Sequence, residues 1–129
     1  METVAKTLNF YEKKLEDVLP ELEAWLMLDD YKCQHFTLKE GQTVLQIKKT
    51  GFIRGLVGMN TALNVVFHKM GDDKFNVEIG EGKWVDKVVV GTLSLLLLWP
   101  ILPFVGYGVY LQANLPNRIY ERLEALTLK

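Results

Sequence analysis

Thirty consecutive residues, Val88 to Asn117, carry no charged side chain, and Lys87 and Arg118 close the run at its two ends. Such a stretch needs either a hydrocarbon phase or a large protein interior to cover it. Its 24-residue centre, Val88 to Leu111, is almost wholly apolar, and at about 1.5 Å per residue it is long enough to cross a hydrocarbon layer roughly 30 Å thick. The sequence therefore predicts a membrane segment over 88–114, with the lipid bilayer as the first partner of the chain.

That segment is not a straight helix. Trp99-Pro100-Ile101-Leu102-Pro103 puts two prolines near its middle, and each removes an amide donor and crowds the preceding turn, at about 3 kcal/mol in a helix interior. Two geometries are compatible with the break. In a kinked span, Leu96 sits near mid-bilayer, Trp84 at one interface, and Tyr107 and Tyr110 near the other. In a re-entrant hairpin, Val88 to Leu98 and Phe104 to Leu115 form two arms, each about 17 Å long and too short to span alone. Four lysines before the run (Lys69, Lys74, Lys83, Lys87) balance Arg118, Arg122 and Lys129 after it. So even a flank suits a hairpin with both ends in the cytoplasm.

The 87 residues before the run suffice for one small domain, whereas 115–129 make only a helix. Fifteen basic residues against sixteen acidic ones give a net charge of −1, which offers no broad basic surface and argues against nucleic acid as a partner. Met1 to Lys6 lacks the basic-then-apolar pattern of a secretory leader, so a cytoplasmic domain is expected. Cys33, the single cysteine, excludes an intramolecular disulfide and suits a reducing compartment.

Apolar residues at Val4, Leu8, Tyr11, Leu15, Val18, Leu22 and Trp25 alternate spacings of four and three, which predicts an N-terminal helix over the first 28 residues, kinked or restarted at Pro20. Its stripe (Leu8, Leu15, Leu22, Trp25) is expected to pack on a sheet or a second subunit. Beyond Asp29-Asp30 the period becomes two. Tyr31 to Lys39 and Thr43 to Lys49 read as one hairpin, Ala62 to Met70 and Lys74 to Ile79 as another. Phe36, Leu38, Leu45, Ile47, Leu63, Val65, Phe67, Phe75, Val77 and Ile79 are the inward candidates. Between the hairpins, Gly51 to Met59 is too apolar for an ordinary loop: it either covers the sheet end or uses Phe52, Ile53 and Leu56 to dip into membrane or touch a partner. Leu115-Pro116, with Ile119, Leu123 and Leu126 at helical spacing, starts an amphipathic tail helix that docks on the domain or lies on the membrane. The expected fold is thus α+β: an N-terminal helix on a four-stranded antiparallel sheet, then the proline-broken membrane segment and the C-terminal helix.

Little in the chain suggests chemistry. Cys33 and His35 share a strand face, and with His68 they could ligate a soft metal, but no second cysteine supports a zinc set. Asp29-Asp30 and Asp72-Asp73 fall at turns, where carboxylates cap backbone amides. The sequence points to a non-enzymatic membrane-anchored assembly module without metal or cofactor, partnered by its own copies or other membrane subunits. The alternatives are a pore-forming or transport-associated subunit, whose lining would have only Thr92, Ser94 and glycine backbone, and a small Cys/His enzyme.

Overall fold

The computed structural model describes residues 4–11, 13–49, 61–71, 73–85 and 115–127. Five strands, β1 (Val4–Asn9), β2 (Tyr31–Thr37), β3 (Thr43–Lys49), β4 (Thr61–Lys69) and β5 (Lys74–Lys83), form one antiparallel sheet in the order β1-β5-β4-β3-β2. Two helices, α1 (Leu15–Met27) and α2 (Leu115–Thr127), pack on one face of it. The α+β class and both hairpins agree with the sequence reading. Among the described residues no helix is long and apolar enough to cross a membrane. The anchor candidates Leu96, Trp99, Pro100, Pro103, Phe104, Tyr107 and Tyr110, and the loop residues Phe52, Ile53 and Leu56, lie outside the described residues.

The N-terminus departs from expectation: the sheet has five strands instead of four, and the first helix begins only at Leu15. Val4 to Asn9 pairs with β5, Val4 opposite Ile79 and Leu8 opposite Phe75. The Val4/Leu8/Tyr11 spacing fits a helix, but a lone helical turn gains little, whereas an added edge strand gains a full ladder and buries Leu8. The strand ends where Asn9 Oδ1 accepts the Tyr11 amide and Tyr11 takes a φ of 57°, a left-handed turn that a continuous helix could not accommodate. Phe10, fully buried at this corner, packs 4.6 Å from the Phe75 ring and 6.5 Å from Phe67.

α1 starts at Lys14, whose extended backbone makes the cap without side-chain help, and Glu16 and Asp17 complement the positive end of its dipole. Of the expected kink or restart, the restart does not occur: the helix runs through Pro20 as one element. The proline is exposed and costs about 3 kcal/mol, against about 1.5–3 kcal/mol gained by each of Val18, Leu19, Leu22 and Leu26, buried on either side of it. The helix-facing core combines those residues with Leu8, Tyr31, Leu45, Ile47, Leu63, Val65, Phe67, Phe75, Val77 and Ile79 from the sheet, Phe10, and Leu115, Ile119, Tyr120 and Leu123 from α2.

The opposite face of the sheet is buried as well, and this moves two residues. Phe36 and Leu38, expected beside Leu45 and Ile47, face away from the helices and cluster with Val44, Val66 and Val85. The register decides it: Phe36 stands opposite Val44, while Leu45 stands opposite His35. With both faces covered, apolar residues occur in both parities of a strand, so alternation alone cannot say which parity meets the helices.

Candidate functional site

Three features run from one end of the sheet, where β2 begins, β3 ends, β4 begins and β5 ends, to the middle of its two faces. The first is the way the chain leaves β5. Past Lys83 it turns onto the face away from the helices, where Trp84 is buried and Val85 is held at both backbone groups. Gln46 Oε1 accepts the Val85 amide at 3.0 Å and the Gln34 Nε2 at 2.8 Å, while Gln34 Nε2 also donates to the Val85 carbonyl at 2.8 Å. Gln46 Nε2 donates in turn to Asn64 Oδ1 at 2.8 Å. Gln46 and Asn64 are fully buried, so this ladder pairs the Gln46 amide and Asn64 Oδ1, which would otherwise be costly, and holds Val85 against the sheet. Sequence alternation puts Gln46 and Asn64 opposite in parity to the inward candidates Leu45, Ile47, Leu63 and Val65; only their placement in strongly apolar strands hints at burial.

The second is the return of the chain. Leu115, Ile119 and Leu123 are fully buried, and the Tyr120 hydroxyl donates to the Val77 carbonyl at 2.6 Å in the core. Burial, with Glu78 adding repulsion, raises the Tyr120 phenol above its ordinary value, so it is held protonated as a donor. Arg118 reaches Asp29 at 2.6 Å just past the C-terminus of α1. The tail helix therefore docks on the domain, the first of the two arrangements its amphipathic pattern allows.

The third is a pair of aromatic–cation clusters. The ammonium groups of Lys32 and Lys48 lie 5.4 and 5.5 Å from the Trp84 ring centre, and the guanidinium groups of Arg118 and Arg122 lie 5.6 and 5.7 Å from that of Trp25 on the helix face. Of the other candidate contact residues, Leu8 and Leu22 are buried in the core of the chain itself, and Leu15 and Trp25 are packed against it and partly exposed. At the opposite end, Lys13, Lys14 and Lys69 with Glu16 and Asp73 rim a cleft of about 510 Å³ floored by Phe67 and Phe75, with charges of both signs and no preferred ligand chemistry.

Cys33, His35 and His68 do not come together. Cys33 and His35 share the helix-side face as their spacing implies, but His68 lies on the other face, 2.6 Å from Glu78, while His35 pairs with Glu23 at 3.0 Å. Burial, reinforced by Glu23, pushes the Cys33 thiol up to about 12, the opposite of what a nucleophile needs. Among the described residues no three His, Cys, Asp or Glu side chains are grouped as metal ligands. No protein-family model, curated protein or solved structure matches the chain.

Proposed function

We propose that the protein is a non-enzymatic, membrane-anchored assembly module whose uncharged segment enters the bilayer and returns on the side it came from. The observation that carries this is the placement of Val85 and Leu115, the described residues on either side of 86–114, in one packed unit. A single crossing would separate α2 from the sheet on which it packs, at the cost of the buried Leu115, Pro116, Ile119, Tyr120, Leu123 and Thr127 and of the Tyr120 hydrogen bond. The 29 residues between them, broken at Pro100 and Pro103, suit two arms of about 17 Å, close to the depth of one leaflet of a roughly 30 Å hydrocarbon layer. The domain then sits on the cytoplasmic leaflet, in keeping with its lone cysteine and balanced flanking charge.

Irregular backbone at membrane depth needs protein around it, which favours association of several copies, or of other membrane subunits, through the apolar segment. Because Leu8 and Leu22 are engaged in the core, the contact falls to 88–114 and to Phe52, Ile53 and Leu56 rather than to the N-terminal stripe. Membrane fractionation tests the proposal. The full-length protein is expected to pellet with membranes at high salt and to be released by detergent, whereas replacing 88–114 by a flexible polar linker leaves it in the supernatant. Leu96→Arg should reduce membrane recovery, by about 2.5–3.5 kcal/mol of insertion free energy if Leu96 lies near mid-bilayer. Recovery of the full-length protein in the soluble fraction without detergent would remove the basis for anchoring.

A further inference from the structure

We infer that the end of the fold where the chain leaves β5 rests on the bilayer, with Lys32 and Lys48 binding the phosphates of anionic phospholipids. This deepens the anchoring proposal and rests on it. The first reason is position. The described chain departs at Lys49, resumes at Thr61 and leaves β5 at Lys83, and these points, with the first turns of α2 beside Asp29, belong to this end. In the sequence, the strongly apolar stretch 51–59 falls between Lys49 and Thr61, and the stretch 88–111 between Lys83 and α2.

The second reason is the chemistry of the surface. Lys32 is exposed and Lys48 partly so, and no carboxylate among the described residues pairs with either. The two ammonium groups, each within 5.5 Å of the Trp84 ring centre, place two positive charges beside one ring, a charge that an anionic phosphate complements. On the helix face Arg118 and Arg122 beside Trp25 supply a second cationic cluster at the same level, offset by Asp29, which Arg118 already engages, and by Asp30. Tryptophan with lysine or arginine is the side-chain chemistry of the headgroup layer. The third reason is apolar exposure. Leu28, 82% exposed, and Met27, 59% exposed, follow one another at the C-terminus of α1, at the same end, where a water-facing surface gains nothing from them.

The test is partition of the full-length protein, diluted from detergent, into vesicles of phosphatidylcholine alone and of phosphatidylcholine with phosphatidylglycerol. The parent should bind both, and the anionic vesicles more tightly at low salt, with the difference lost at high salt. Lys32→Gln/Lys48→Gln should bind neutral vesicles as the parent does and lose on the order of fivefold per lysine, about 25-fold together, on anionic ones. Lys32→Arg/Lys48→Arg should keep the preference, and Leu28→Ser should weaken binding to both vesicle types. An anionic preference that survives Lys32→Gln/Lys48→Gln overturns the assignment, as does equal binding of the parent to both vesicles. Either result leaves the apolar anchor standing. Binding to neither vesicle overturns the anchoring proposal as well.

Discussion

Truncating Leu123 to alanine examines the docking of α2, on which the same-side argument depends. Leu123 is fully buried among core residues of the sheet and helices, and Leu→Ala at such a site costs about 2–5 kcal/mol through lost transfer energy and the cavity left behind. Against a total stability of about 5–15 kcal/mol, that is a large fraction. With about 4–8 °C of midpoint shift per kcal/mol in a domain of this size, the melting temperature should fall by at least about 8 °C. Tyr120→Phe keeps the ring and removes only the hydroxyl that donates to Val77, so its cost should be smaller, about 1–3 kcal/mol. Glu121→Ala, an exposed position on the same helix, should stay within about 0.5 kcal/mol of the parent. The assay is thermal unfolding of the full-length protein in detergent micelles, followed by near-ultraviolet circular dichroism. If Leu123→Ala and Tyr120→Phe melt with Glu121→Ala, then α2 is not part of the cooperative unit and nothing ties the two ends of the uncharged run to one side.

Three further outcomes follow from the same geometry. Gln46→Leu leaves the Val85 amide and Asn64 Oδ1 without their buried partner, and should cost about 2–4 kcal/mol in the same melting assay; a variant as stable as the parent would mean that the ladder is not formed. The Cys33 thiol, raised to about 12, should react with iodoacetamide at pH 8 on the order of a thousandfold more slowly than a free cysteine, and at the ordinary rate in denaturant; fast labelling of the folded protein would contradict its burial. Burial raises Tyr31 and Tyr120 along with Cys33, so the neutral forms are favoured in the folded state. Their contribution should be intact below pH 9 and lost as pH rises from the ordinary thiol and phenol values through the raised ones. Tyr120→Phe should flatten the alkaline decline in stability above about pH 10.

Much of this fold is legible in the sequence where one local signal acts alone. The hairpins are marked by Glu40-Gly41-Gln42, where Gly41 takes a φ of 101°, and by Gly71-Asp72-Asp73 between alternating runs. The tail helix is marked by Leu115-Pro116 and the spacing of Ile119 and Leu123. Residues 4–9 are ambiguous in the sequence because the spacing of Val4 and Leu8 suits a helical period and a strand alike, and only the long-range ladder with β5 separates the two. The face taken by Phe36 and Leu38 is not legible in the sequence because both faces of this sheet bury apolar residues. The Gln34–Gln46–Asn64 ladder was invisible because its polarity is satisfied by Val85, 39 residues beyond Gln46. Cys33 and His35 do share a face, as two residues apart on a strand must, but the hand of the sheet register puts His68 on the other.

The most direct measurement of the anchoring geometry is the accessibility of single cysteines to a membrane-impermeant thiol reagent in sealed, right-side-characterised vesicles. Cys33→Ser removes the native thiol, Lys129→Cys marks the end of the tail, and Lys39→Cys marks the exposed β2–β3 turn of the domain. Because Val85 and Leu115 belong to one packed unit, both introduced cysteines should label from the same side, and neither from the other until detergent is added. Labelling of Lys129→Cys from the side opposite to Lys39→Cys would establish a single crossing and contradict the re-entrant anchor.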